Sequence, residues 1–147
     1  MTGPLTDRIL LPVANEADVD RVCDALIERR VGEPGGSEIV VVHVIEKAGG
    51  APDKAPLAAR EEQAELIFER ATGRLESAEY KVETRLLYAT DVLEAIFDSA
   101  RETNASSILF VPRPGGRITR FLSGDRSLRL VCDSPVPVIV LGAGSDE

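Results

Sequence analysis

The chain is short of the residues that most often announce chemistry: among 147 residues it has two cysteines and one histidine. Cys23 and Cys132 stand in no CxxC pair and neither lies near His43, so the spacing of a zinc site is missing. Both fall in helical apolar patterns, which predicts small buried hydrophobes, and a disulfide is not expected in a reducing cytosol. No GxSxG, HxGH-like pair, P-loop or metal-ligand cluster occurs, which argues against an enzyme. No apolar run approaches the roughly 18 residues of a membrane span, and residues 1–7 lack the basic-then-apolar order of a signal peptide. The expectation is a cytoplasmic protein with no membrane span. With no internal repeat and no linker, residues 1–147 are expected to form one domain.

What is present is globular in balance, with 44% hydrophobic and 29% charged residues. The formal net charge of −8 and a pI near 4.8 disfavour nucleic acid, whose phosphates need clustered cations. Lysine is confined to Lys47, Lys54 and Lys81 while arginine is plentiful. That bias suits a GC-rich genome or a saline cytoplasm, where an acidic surface stays hydrated.

Along the chain, residues 8–13 (RILLPV) form the near-continuous apolar run of a strand buried on both faces. Asn15 can cap the helix that follows, whose stripe is Val19, Val22, Cys23, Leu26 and Ile27, with Asp18, Asp20, Asp24 and Glu28 on its other faces. Gly32 and the Pro34-Gly35-Gly36 cluster end it. Residues 39–45 (IVVVHVI) are the most β-branched run and predict a central strand. His43 lies within it, as a hydrogen-bonded core residue rather than a catalyst, since no Ser or Cys nucleophile motif accompanies it. Residues 47–56 (KAGGAPDKAP) predict a mobile loop, either a flap over the sheet's carboxyl edge or a tolerated insertion.

A long helix is predicted over residues 57–78, with Ala64, Ile67, Phe68, Ala71 and Leu75 on one face and Gly73 weakening it locally. A third strand over 82–87 leads through Tyr88-Ala89-Thr90, read as a turn, into a helix with capping-box-like Asp91 and Glu94. Its stripe is Val92, Leu93, Ile96, Phe97 and Ala100. A strand at 108–111, a helix at about 124–132 and a strand at 136–141 complete the order βαβαβαβαβ. The fold class is therefore α/β: a five-stranded, mainly parallel doubly wound sheet with helices on both faces. Its ligand crevice is expected at the carboxyl ends of the first and fourth strands.

Four phrases, RILLPVANEADVDRVCDAL, VVVHVIE, ATDVLEAIFDSARETNASSILFV and GGRITRFLSGDRSLRLVCDSPVPVIVL, resemble the universal stress protein family and cover almost the whole chain. The resemblance implies a Rossmann-like fold. In ATP-binding members it implies a Gly-x2-Gly-x9-Gly-(Ser/Thr) pattern and an Asp closing the first strand. With the last glycine set on Gly124, the other pattern positions fall on Val111, Pro114 and Asp125, and Ala14 stands where the Asp would be. Val111 adds a side chain where backbone should approach phosphate. Pro114 has no N–H, and Asp125 brings a carboxylate to the phosphate position. The implied site is a degenerate nucleotide site, and the expectation is no cofactor.

Against that, Arg113, Arg117, Arg120, Arg126 and Arg129 concentrate positive charge in a stretch whose only acid before Asp133 is Asp125. With Gly115, Gly116, Ser123 and Ser127 they are candidates for an anion site, weakly for ATP or AMP; the competing reading is a solvated face paired with acids on neighbouring helices. The last run, with Val136, Val138, Ile139, Val140 and Leu141, predicts an apolar sheet edge, and members of the family commonly dimerise there. Pro135 and Pro137 at its start do not prevent the later residues from pairing. The resulting expectation is a non-enzymatic, homodimeric stress-response protein acting through unknown protein partners. An ATP-, AMP- or anion-responsive regulator is the alternative.

Overall fold

The computed structural model describes residues 5–33, 35–47, 57–111 and 125–141, the last segment with side chains from Arg129 onward. The elements run β1 (Arg8–Pro12), α1 (Glu16–Glu28), β2 (Glu38–Glu46), α2 (Leu57–Ser77), β3 (Lys81–Ala89), α3 (Val92–Glu102), β4 (Ser107–Phe110), α4 (Asp125–Asp133) and β5 (Val138–Val140). The sheet order is β3-β2-β1-β4-β5, and every pairing is parallel.

Alternation along the strands builds two cores from one sheet. Ile9, Leu11, Ile39, Val41 and Leu109 face α1 and α2, while Leu10, Val40, Val42, Ile108 and Phe110 face α3 and α4. A strand's side chains alternate between faces, so unbroken apolar runs are what a sheet covered on both sides requires. The chain leaves β1 outward through β2 to β3, then returns to β4 on β1's other flank. The carboxyl ends of β1 and β4 therefore form the switch point where open α/β sheets leave a crevice.

The caps follow the sequence. Asn15 accepts from the Asp18 amide at 3.1 Å and Asp91 from the Glu94 amide at 3.1 Å, each holding an orphan donor of a first turn. Gly73 sits inside α2 without interrupting it.

Several expectations are corrected. Tyr88 and Ala89 belong to β3, because β2 pairs with it through Glu46↔Ala89. Asp18 is buried, 4% exposed, although the helical pattern puts it on an outer face; the first turn of α1 stands over the carboxyl edge of the sheet, where even its polar flank is covered. Cys132 is exposed whereas Cys23 is buried. Leu130 of α4 enters the core, and at about 100° per residue the next two positions turn outward. The last strand is also shorter than 136–141: Val136 lies in the bend before β5, where Pro135 and Pro137 supply no N–H to a ladder.

Candidate functional site

The switch-point crevice is walled by Pro12, Val13 and Ala14 after β1, by Asp18, Arg21 and Val22 of α1, and by Phe110 and Val111 at the end of β4. Arg21 spans it. Its Nη2 donates to Asp18 Oδ1 at 3.1 Å and its Nη1 donates to the Val111 carbonyl at 2.5 Å. The space left between these residues is about 10 Å³, roughly the room of one water. Pockets that hold small ligands are usually some 300 Å³ or more. Within the described residues the crevice is filled by the chain itself.

His43 stands next to it on β2. Its Nδ1 lies 2.8 Å from the Val13 carbonyl, and since a carbonyl can only accept, that nitrogen carries the proton. Burial lowers the pKa of His43, partly offset by this bond, with the Arg60 charge lowering it further. The imidazole is thus a neutral clamp between β1 and β2.

Sequence reasoning places further candidates around this crevice. Arg113, Pro114, Gly115, Gly116, Arg117, Arg120, Ser123 and Gly124 lie outside the described residues, as do residues 48–56 of the expected loop. Asp125 and Arg126 are the first two residues of α4. Ala14 and Val111 are brought together as crevice walls. Arg129 pairs with Asp91 at 3.3 Å, joining α4 to the cap of α3. Arg21 and Asp18 were not singled out by sequence reasoning. Their spacing of three residues on α1 was the available signal, but nothing local marks the bond to Val111.

Of the last-strand residues, Val138 and Ile139 are half-buried and Val140 is 49% exposed. β5 closes one edge of the sheet and pairs with β4 through Ile108↔Val138 to Phe110↔Val140. The Leu141 amide extends the ladder to the Phe110 carbonyl at 2.9 Å. Val136 and Leu141 flank the strand, both half-buried.

A second concavity lies at the other edge. Two helices packed about 10 Å apart do not roof five strands spaced about 4.8 Å, and among the described residues the carboxyl half of β3 stays open beside α3. The groove there holds about 520 Å³. Leu87 of β3 forms its floor with Ala95, and Asp91, Glu94, Asp98 and Glu102 form a wall along α3. No described helix is long and apolar enough to cross a membrane.

A sequence profile of the universal stress protein family matches residues 6–142. No curated protein matches the chain. Among solved structures, a universal stress protein family member from Burkholderia pseudomallei is similar at 20% identity and TM-score 0.64, over 95% of this chain and 98% of that one. The universal stress protein of Archaeoglobus fulgidus in complex with dAMP is similar at 22% identity and TM-score 0.63, over 94% and 99%. A universal stress protein in complex with cAMP is similar at 12% identity and TM-score 0.59, over 95% and 98%.

Proposed function

This chain belongs to the universal stress protein family, and we propose that it is a single-domain, homodimeric member that does not seat ATP in the family's usual pose. In this reading it is cytoplasmic, needs no cofactor and acts through protein partners rather than as an enzyme. One observation carries the reading. The Arg21 guanidinium closes the crevice between α1 and the end of β4, with Asp18 beneath it and about 10 Å³ left over. The substitutions at Ala14, Val111, Pro114 and Asp125 point the same way.

Calorimetric titration of the full chain with ATP tests it. No saturable heat up to millimolar nucleotide is expected. Micromolar binding abolished by Gly124→Trp would overturn the reading. Dimerisation is assigned to β5 because it is an apolar edge strand with Val140 half-exposed. Light scattering should give twice the chain mass, reduced to one chain mass by Val140→Asp. A wild-type monomer removes the dimer.

A nucleotide-responsive domain is the second reading. It is favoured by similar structures solved with dAMP and cAMP and by the run Arg113, Arg117, Arg120 and Arg126. The same titration, extended to AMP, separates the two.

A further inference from the structure

The groove beside β3 stands two strands away from the switch point and has no part in the reading above. Its volume of about 520 Å³ falls within the range of small-ligand pockets. Glu94, Asp98 and Glu102 recur every fourth residue of α3 and all line it, so three carboxylates follow one another at about 6 Å along one flank. Glu94 has no ion pair among the described residues. Asp98 engages Arg101 through Oδ1 and Glu102 engages Arg85 through Oε1. The second oxygen of each has no partner among the described residues. Both carboxylates are largely exposed, and exposed pairs exchange readily.

A second, independent feature lies at the same place. Ser99 also lines the groove, is 1% exposed, and has the only buried side-chain polar atom without a hydrogen-bond partner among the described residues. Buried hydroxyls are normally satisfied, and this one can accept from a donor that enters. The floor of Leu87 and Ala95 asks for hydrocarbon rather than water.

Carboxylates at intervals, an acceptor hydroxyl and an apolar floor are the complement of a methylene chain bearing several ammonium groups. We propose that this groove binds a linear aliphatic polyamine. Its ammonium groups lie on Glu94, Asp98 and Glu102, one amine donates to the Ser99 hydroxyl, and its methylenes cover Leu87 and Ala95. Lys47, the one cation among the described lining residues, repels the ligand from the groove's other end. A compact divalent ion fits poorly, because it needs several oxygens converging at about 2.0–2.6 Å. No group of three or more metal-ligating side chains occurs among the described residues.

Titration of the full chain with spermidine at physiological ionic strength tests this. Saturable binding of one ligand per chain is expected. The double variant Glu94→Gln/Asp98→Asn should weaken it about tenfold, and Ser99→Ala about threefold. Arg85→Gln, which frees Glu102, should tighten it. Absence of saturation, equal displacement by the same concentration of magnesium, or binding indifferent to the double variant would each overturn the proposal. So would tighter binding of a lysine-rich peptide with the same dependence on Glu94 and Asp98, which would make the groove a protein-docking surface.

Discussion

The crevice between β1 and β4 and the groove beside β3 are both concavities where strands meet helices, yet the described residues fill one and leave the other open. The difference lies in position. β1 and β4 are interior strands, and α1 reaches over their ends, so Arg21 and Asp18 are enclosed together, with side chains 23% and 6% exposed. β3 is an edge strand, and the acids of α3 beside it stay wet, Asp98 at 58% and Glu102 at 64%. The same pairing chemistry is therefore structural in one place and available to a ligand in the other. Burial, rather than the kind of residue, decides which.

Asp18→Ala should break this contrast most forcefully. It takes the carboxylate from a mostly covered Arg21 guanidinium, which keeps its bond to the Val111 carbonyl, and removing one partner of a buried pair costs about 3 kcal/mol. Urea unfolding should show that loss, whereas Asp18→Ala/Arg21→Ala should recover part of it. A change under about 1 kcal/mol would mean that the crevice pair is no more committed than a surface pair.

The two cysteines sharpen the contrast through pH. Burial pushes the Cys23 thiol up from its ordinary 9.0 to about 11. A folded pKa above the unfolded one means stability is fully present below about pH 9 and is lost as pH rises through the folded value. Two units correspond to roughly 2 to 3 kcal/mol. Tyr80, also raised by burial, acts in the same direction, so Cys23→Ala measured between pH 8 and 11 isolates the thiol's share. In the native protein a thiol reagent should label exposed Cys132 promptly and Cys23 only on unfolding.

Much of this architecture was legible because it follows from local rules. Runs such as IVVVHV could only be doubly covered strands, Asn15 announced its cap by residue type, and Asp91 announced its own by Glu94 three residues on. What stayed hidden depended on distant geometry. Arg21 meets a carbonyl 90 residues away, and no periodicity on α1 points to it. Asp18 lies on the polar side of its helix by spacing, but spacing does not say what the first turn stands over. The groove comes from a missing roof: the sequence supplies the number of helices, not which strand they leave bare. In the sequence Asp91 and Glu94 announce only a cap; with Asp98 and Glu102 they make a stripe along α3, and only the floor of β3 gives that stripe something to face.

Ser99→Ala should have a smaller effect of opposite sign to the loss at Asp18. The unmet hydroxyl in the apo groove is destabilising, and alanine is the better helix former. A gain of about 1 kcal/mol in unfolding free energy is expected from thermal or urea denaturation. A loss instead would show that the hydroxyl is satisfied in solution, and the groove would be as internally paired as the crevice.

Glu94→Gln should change stability least. In the first turn of α3 its carboxylate gains about 0.3–1 kcal/mol from the helix dipole. It also faces Asp91 three residues before and Asp98 four residues after, and each like-charge neighbour takes back about 0.2–0.5 kcal/mol. These contributions nearly cancel, and both are screened by salt, so the unfolding free energy should stay within about 0.5 kcal/mol of wild type at low and high salt alike. A loss above about 1 kcal/mol would mean that Glu94 is held by the fold as Asp18 is. The wall of α3 would then have no carboxylate to offer a ligand, and the distinction between a filled interior crevice and an open edge groove would disappear.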